Sequence, residues 1–296
     1  MTVKPIIVVG MNRSGTRWLT TLLSCHPDIS AIRAITNDNP GALAQETNMF
    51  GIFPRLFKNI SNKNKYVAIV ELWSKTLFFS YLDVTKFDLY NLNPRPTNCY
   101  SLFKMAMDLH SVRSGTRFWI QKTTPSSFKQ FNDYFEDAFF IVIKRHILAN
   151  IRSKVKRLHH VSDHYSIAKL VFLYVTDSWV LDKYLLPNTD NVCMVSYEDL
   201  KDNTSDELKR IYEFVSIENH DAIKRESLYR NTRFANQEER DRVLSKNEEM
   251  LIILFKALFQ SVPGSVLWRI RDQYSRAGCS KFINSTFTNI VSKYKL

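Results

Sequence analysis

Two stretches of this chain combine residue types that could hold an anion. The first is Gly10-Met-Asn-Arg-Ser-Gly-Thr-Arg17. Gly15 and the amides after it stand where a helix would begin, so unpaired N–H groups and the positive end of the helix dipole converge on one point. Arg13 adds a formal charge there, and Ser14 and Thr16 add hydroxyl donors. The second stretch is Lys144-Arg145 with Arg152, Lys154, Lys156 and Arg157, and it has no acidic residue from 141 to 160. Arg145, at the carboxyl edge of an apolar run, can clamp a phosphate with the planar fork of its guanidinium. Both stretches suit a ligand that carries phosphate.

The elements that must position these residues can be read from hydrophobic period. Ile6 to Val9 is an uninterrupted β-branched run, as expected of a strand buried on both faces. Beyond the glycine loop, Leu19, Leu22, Leu23 and His26 recur at helical spacing, and His26-Pro27 ends the helix. Phe118 to Gln121 and Ala138 to Ile143 read as two more buried strands, with a helical stretch from Pro125 to Phe135 between them. Met194 to Tyr197 reads as a fourth strand. Thr204-Ser-Asp-Glu207 resembles a capping box, opening a helix whose apolar stripe is Leu208, Ile211, Tyr212 and Val215. Strands alternating with helices imply an α/β fold with a central parallel sheet flanked by helices. Residues 162–188 and 236–262 read as mostly helical, giving a helical C-terminal part. Residues 47–110 are rich in aromatics and lysine and carry no clear period. No linker stands out, so residues 1–296 read as one domain. Arg-Ser-Gly-Thr-Arg occurs at 13–17 and again at 113–117, but only the first copy follows a strand and opens a helix.

Lys and Arg outnumber Asp and Glu by 41 to 29, a formal charge of +12, which points to anionic partners. These include nucleotides, acidic glycans and, as a peripheral contact, an anionic membrane surface. No helix-turn-helix, zinc or aromatic-platform signal marks a specific nucleic-acid partner. The four cysteines, Cys25, Cys99, Cys193 and Cys279, lie far apart and form no metal or disulfide pattern, which fits a reducing compartment. The start of the chain enters Ile6 at once, without signal-peptide character, and no apolar run reaches the roughly 18 to 20 residues that span a bilayer. The expectation is a cytoplasmic protein.

The glycine loop is close to the nucleotide-triphosphatase pattern G-x-x-x-x-G-K-[ST] but fails at its two chemical positions. Gly10 and Gly15 fit, whereas Thr16 and Arg17 stand where Lys and the magnesium-binding hydroxyl belong. A kinase-like reading is weakened there. A non-enzymatic binder of polyanions is the remaining alternative of another class.

With both stretches in view, the sequence resembles the sulfotransferases that use 3′-phosphoadenosine-5′-phosphosulfate (PAPS), in the glycan and bacterial branch, with a P-loop-like nucleotide-binding fold. Val9 to Trp18 resembles the family's 5′-phosphosulfate loop. The resemblance implies that Arg13, Ser14, Gly15, Thr16 and Arg17 hold the 5′-phosphate and bridging oxygen, and that Trp18 stacks on adenine. Phe139 to Ser153 resembles the 3′-phosphate element, a strand ending in Arg145 with Ser153 eight residues on. Trp119-Ile-Gln-Lys122-Thr-Thr-Pro125 resembles the Trp-x-x-Lys-(Thr/Ser)-Pro strand end, and Tyr197-Glu-Asp-Leu200 resembles a segment whose tyrosine lies near the adenine. Asn231-Thr-Arg-Phe234 and Ser275-Arg-Ala-Gly278 are weaker echoes of further nucleotide segments.

The chemistry implied is in-line displacement at sulfur, with cationic side chains in place of a metal ion. Arg13 would act on the bridging and leaving oxygens and Lys122 on the sulfuryl oxygens. An acceptor hydroxyl also needs a base. The position two residues after Lys122, where cytosolic members carry a histidine, is Thr124. Glycan-type members use a glutamate shortly after the first helix, and Gln45-Glu46-Thr-Asn-Met-Phe50 resembles that segment, making Glu46 the leading base. His110 and the His159/His160/His164 cluster are alternatives. Loss of the histidine tilts the acceptor toward a carbohydrate or glycolipid, with small-molecule and tyrosyl acceptors as alternatives.

Overall fold

A computed structural model describes residues 2–36, 39–43, 48–51, 53–131, 134–158, 167–185, 189–220 and 244–273. The central element is β1 (Lys4–Gly10), whose apolar run is buried from Pro5 to Gly10. It lies in a five-stranded sheet with β2 (Ile29–Ser30), β5 (Phe118–Thr123), β6 (Phe139–Lys144) and β7 (Val192–Ser196), in the order β2-β5-β1-β6-β7. All its pairings are parallel. A separate antiparallel hairpin, β3 (Arg33–Thr36) with β4 (Asn39–Leu43), was not legible in the sequence.

Alternation along β1 feeds two cores. Ile6 and Val8 pack on one face with Leu19, Leu22 and Leu23 of helix α1 (Thr16–Leu23). Ile7 and Val9 pack on the other with Trp73 and Phe103, from helices α2 (Lys63–Trp73) and α3 (Cys99–Ser114). Successive side chains of a strand point to opposite faces, so a continuous apolar run is what a sheet covered on both sides requires. The unreadable stretch 47–110 proves to be this second layer, and Phe50, Phe53, Phe57, Tyr66, Trp73 and Phe103 are buried within it.

Helix α4 (Pro125–Phe131) follows β5 and stops short of the expected Phe135. Helix α5 (Ile147–Leu158) follows β6, and helix α6 (Ile167–Val180) precedes β7. The strand expected at Met194–Tyr197 ends at Ser196. There the Ser196 hydroxyl accepts from the Asp199 amide at 3.2 Å, and Tyr197 opens helix α7 (Tyr197–Asp202). The expected capping box at Thr204 does not form. Helix α8 (Thr204–Phe214) follows α7 after Asn203 alone, and the Thr204 hydroxyl donates back to the Leu200 carbonyl at 2.7 Å. Helix α9 (Lys246–Gln260) does carry a capping box, Ser245 with Glu248. With helix α10 (Gly264–Gln273) it builds a third core on α5 and α6 around Ile147, Ile151, Val171, Ile252 and Leu267.

The register fixes what meets at the carboxyl edge of the sheet. Val8 lies beside Lys122 and Gly10 beside Ile143. The glycine loop, the end of β5 and the start of α5 therefore share one edge, where ligands of open parallel sheets bind.

Candidate functional site

The loop after β1 is held by two residues with left-handed backbone. Arg13 has φ 73° and Gly15 has φ 91°, with Ser14 between them fully buried. A side chain at Gly15 would be strained in that region, and a Cβ there would stand 2.5 Å from Cδ2 of Tyr197. Gly10 is equally enclosed, since a Cβ would meet Thr16 Cγ2 at 2.6 Å and the Ile143 carbonyl oxygen at 2.9 Å. Gly15 is the N-cap of α1, no side chain caps the helix, and its first turn holds no acid. The first amides of a helix have no intrahelical partners, so this terminus suits an anion. The second Arg-Ser-Gly-Thr-Arg does the opposite work: Gly115, φ 67°, closes the C-terminus of α3.

The segment from Arg145 into helix α5 lies against this loop and ties to it through three residues. Arg13 donates from Nε to the Ser153 hydroxyl at 3.0 Å. Arg145 donates from Nη1 to the Arg13 carbonyl at 3.1 Å. Asn150, fully buried, donates from Nδ2 to the Asn12 carbonyl at 3.1 Å and to the Ser14 hydroxyl at 3.0 Å. The glycine loop and the basic stretch after β6 are thus one bonded unit. Because the Ser14 and Ser153 hydroxyls each accept a bond here, each has its own proton to donate elsewhere.

Arg145 is braced on its other sides. Its guanidinium carbon lies 4.2 Å from the centroid of the Tyr197 ring, and Tyr197 meets the Trp18 ring at 5.9 Å, edge to face. The Tyr174 hydroxyl donates to the Arg145 carbonyl at 2.9 Å, and burial pushes that phenol up to about 12, keeping it a neutral donor. The Arg145 Nε is buried with no hydrogen-bond partner among the described residues. A buried unpaired donor on a guanidinium is costly, and an anionic oxygen is the partner that would satisfy it.

The basic residues from Lys144 to Lys154 contribute less to the site than the sequence suggested. Lys144 pairs with Asp182 at 2.8 Å and Arg152 with Glu249 at 3.0 Å. Lys154 is not a solvated surface lysine. It faces Asp177, itself paired with Arg271 at 2.7 Å, and burial lowers its pKa to about 8. Thr16 and Trp18 are half-buried beside the loop and Arg17 is exposed. Lys122 is half-buried at the same sheet edge, one strand over from the loop. His110 is buried in α3, and its Nδ1 accepts from the Asp83 amide at 3.2 Å. Glu46, the histidines at 159, 160 and 164, Asn231–Phe234 and Ser275–Gly278 lie outside the described residues. Among the described residues no group of three or more His, Cys, Asp or Glu could hold a metal ion.

Sequence reasoning missed Asn150. An asparagine in the second turn of an amphipathic helix carries no signal by itself. A polar residue between the buried Ile147 and Ile151 was the available hint.

Comparison with known proteins agrees with this geometry. The Sulfotransferase family model matches residues 5–221, most of the chain. Among solved structures, the sulfotransferase domain of the Synechococcus PCC 7002 olefin synthase is similar, with 17% identity, TM-score 0.53, and coverage of 88% of this chain and 95% of that one. A sulfotransferase from Mycobacterium tuberculosis is 14% identical with TM-score 0.46 over 88% of this chain and 78% of its own. Mouse SULT7A1 in complex with PAP is 16% identical with TM-score 0.38 over 82% and 68%. No curated protein matches significantly. A glycine loop bonded to an Arg–Ser strand–helix element at the edge of a five-stranded parallel sheet, matched over residues 5–221, makes this chain a member of the sulfotransferase family.

Proposed function

We propose that the protein transfers the sulfuryl group of PAPS to an acceptor hydroxyl of a carbohydrate or glycolipid. The observation that carries this reading is the bonded unit of loop and helix, in which Arg145 Nε is buried without a hydrogen-bond partner among the described residues. In the proposed complex the α1 terminus, with Arg13, Ser14, Gly15, Thr16 and Arg17, takes the 5′-phosphate, and Arg145 with Ser153 takes the 3′-phosphate. Trp18 and Tyr197 border the adenine, with Tyr197 also bracing Arg145.

The acceptor oxygen attacks sulfur as the bond from sulfur to the bridging oxygen breaks, and the leaving group is adenosine 3′,5′-bisphosphate. Arg13 stabilises the charge that grows on that oxygen, and Lys122 stabilises the sulfuryl oxygens. The acceptor's proton passes to the Glu46 carboxylate. Residues 1–296 act in this reading as one sulfotransferase domain. The buried free thiols of Cys25, Cys99 and Cys193 suit a cytoplasmic setting.

Incubation with sulfur-labelled PAPS and a panel of sugars, glycolipids, phenols and tyrosyl peptides tests the reading. Label on a sugar-bearing acceptor, lost in Glu46→Gln and Lys122→Ala while nucleotide binding persists, is the expected result. Label confined to phenols or peptides would reject the carbohydrate acceptor, and no transfer to any member would reject the activity.

A further inference from the structure

The C-terminal helices present an apolar surface that the nucleotide site does not use. Helix α9 packs inward through Ile252, Phe255 and Phe259. Its outward face is also apolar: Met250 is 65% exposed, Ile253 and Leu254 59% each, and Leu258 56%. Past a turn of 105°, α10 continues that surface with Val266 at 43% and Ile270 at 51%. Exposed apolar patches of this kind mark interaction sites.

The charge around the patch indicates what covers it. From residue 246 to residue 296 the sequence carries eight Lys and Arg against three acids, Glu248, Glu249 and Asp272. The acids of α9 are already engaged, Glu248 in the capping box with Ser245 and Glu249 with Arg152. Apolar side chains in a segment of net positive charge match the interface of an anionic lipid bilayer. Pairing with a second copy would instead bring these cations toward each other. At 15 residues α9 is about 22 Å long, short of the roughly 30 Å hydrocarbon core, and no single described helix is long and apolar enough to cross a membrane. Among the described residues only α9 and α10 together, across their bend of 105°, have the length and apolar composition of a span.

We propose that the outward face of α9 and α10 docks the protein on anionic membranes, with Met250, Leu254, Leu258 and Ile270 entering the headgroup boundary. The claim is independent of the sulfuryl-transfer reading.

Sedimentation of the full chain with vesicles tests it, using phosphatidylcholine alone and phosphatidylcholine with about one third phosphatidylglycerol. The expected result is binding to the phosphatidylglycerol vesicles that weakens as salt rises, with little binding to phosphatidylcholine. The double variant Leu254→Glu/Leu258→Glu is expected to bind at least about tenfold less while keeping the wild-type melting temperature. If that variant does not fold, Leu254→Gln/Leu258→Gln takes its place. Equal binding to both compositions would overturn the proposal, as would undiminished binding by the folded variant. A wild-type dimer that the same variant dissolves, without vesicle binding, would overturn it in favour of a self-association face.

Discussion

Arg13 and Ser153 are 140 residues apart in sequence, yet the guanidinium of one donates to the hydroxyl of the other at 3.0 Å. The bond joins the residue proposed to meet the leaving oxygen to a residue proposed to meet the 3′-phosphate. It also orients both: the Arg13 guanidinium is anchored through Nε, and the Ser153 hydroxyl, accepting that bond, keeps its own proton to donate. Binding at one end of a bisphosphorylated nucleotide would then favour the geometry needed at the other.

Ser153→Ala removes the acceptor of that bond and the proposed donor to the 3′-phosphate together. A hydrogen bond to a charged group contributes about 1.5–3 kcal/mol, so affinity for adenosine 3′,5′-bisphosphate is expected to fall about tenfold to a hundredfold. Titration calorimetry checks this, and unchanged affinity would remove Ser153 from the site.

Asn150→Leu keeps the volume and deletes both bonds that α5 makes to Asn12 and Ser14. Because those bonds hold the loop proposed to take the 5′-phosphate, affinity for adenosine 5′-phosphate is expected to fall about tenfold or more, with adenosine 3′-phosphate little affected. Equal losses for both ligands would indicate general unfolding instead of loop positioning, and melting curves of the unliganded variant would separate the two.

Gly15→Ala places a methyl where the Tyr197 ring lies, on a backbone with φ 91°. The cost expected is of order 1–3 kcal/mol, taken from stability or from loop geometry. Paired melting and nucleotide-binding measurements report which, and wild-type behaviour in both would contradict the packing described.

Much of this arrangement was legible before the fold was known. Ile6 to Val9 with its glycine loop, and Phe139 to Arg145, announce themselves because buried strands need unbroken apolar runs and left-handed turns need glycine. What stayed hidden depends on distant partners. Asn150 acquires its role only when α5 lies on a loop about 137 residues earlier. Lys154 read as one more solvated cation because Asp177 and Arg271 reach it from other helices. Thr204 had the letters of a capping box, but the turn of α7 before it supplied a nearer acceptor.

Lys154 gives a pH signature. Burial lowers it to about 8, against about 10.5 in an unfolded chain. Below pH 8 both states hold the proton and the cost of the buried charge is fully present. Between about 8 and 10.5 the unfolded chain binds more protons than the folded one, so this contribution to stability rises with pH. Lys154→Met is therefore expected to melt higher than wild type at pH 7, with the gap closing toward pH 10.5. A variant that melts lower at pH 7 would mean that attraction to Asp177 outweighs burial.

The most direct measurement is the affinity of the wild-type protein for adenosine 3′,5′-bisphosphate against adenosine 5′-phosphate, by calorimetry in one buffer. If Arg145 and Ser153 receive the 3′-phosphate, the bisphosphate binds about a hundredfold tighter or better, and Arg145→Ala removes most of that advantage. Equal affinities in the wild type, or an advantage that survives Arg145→Ala, would contradict the account.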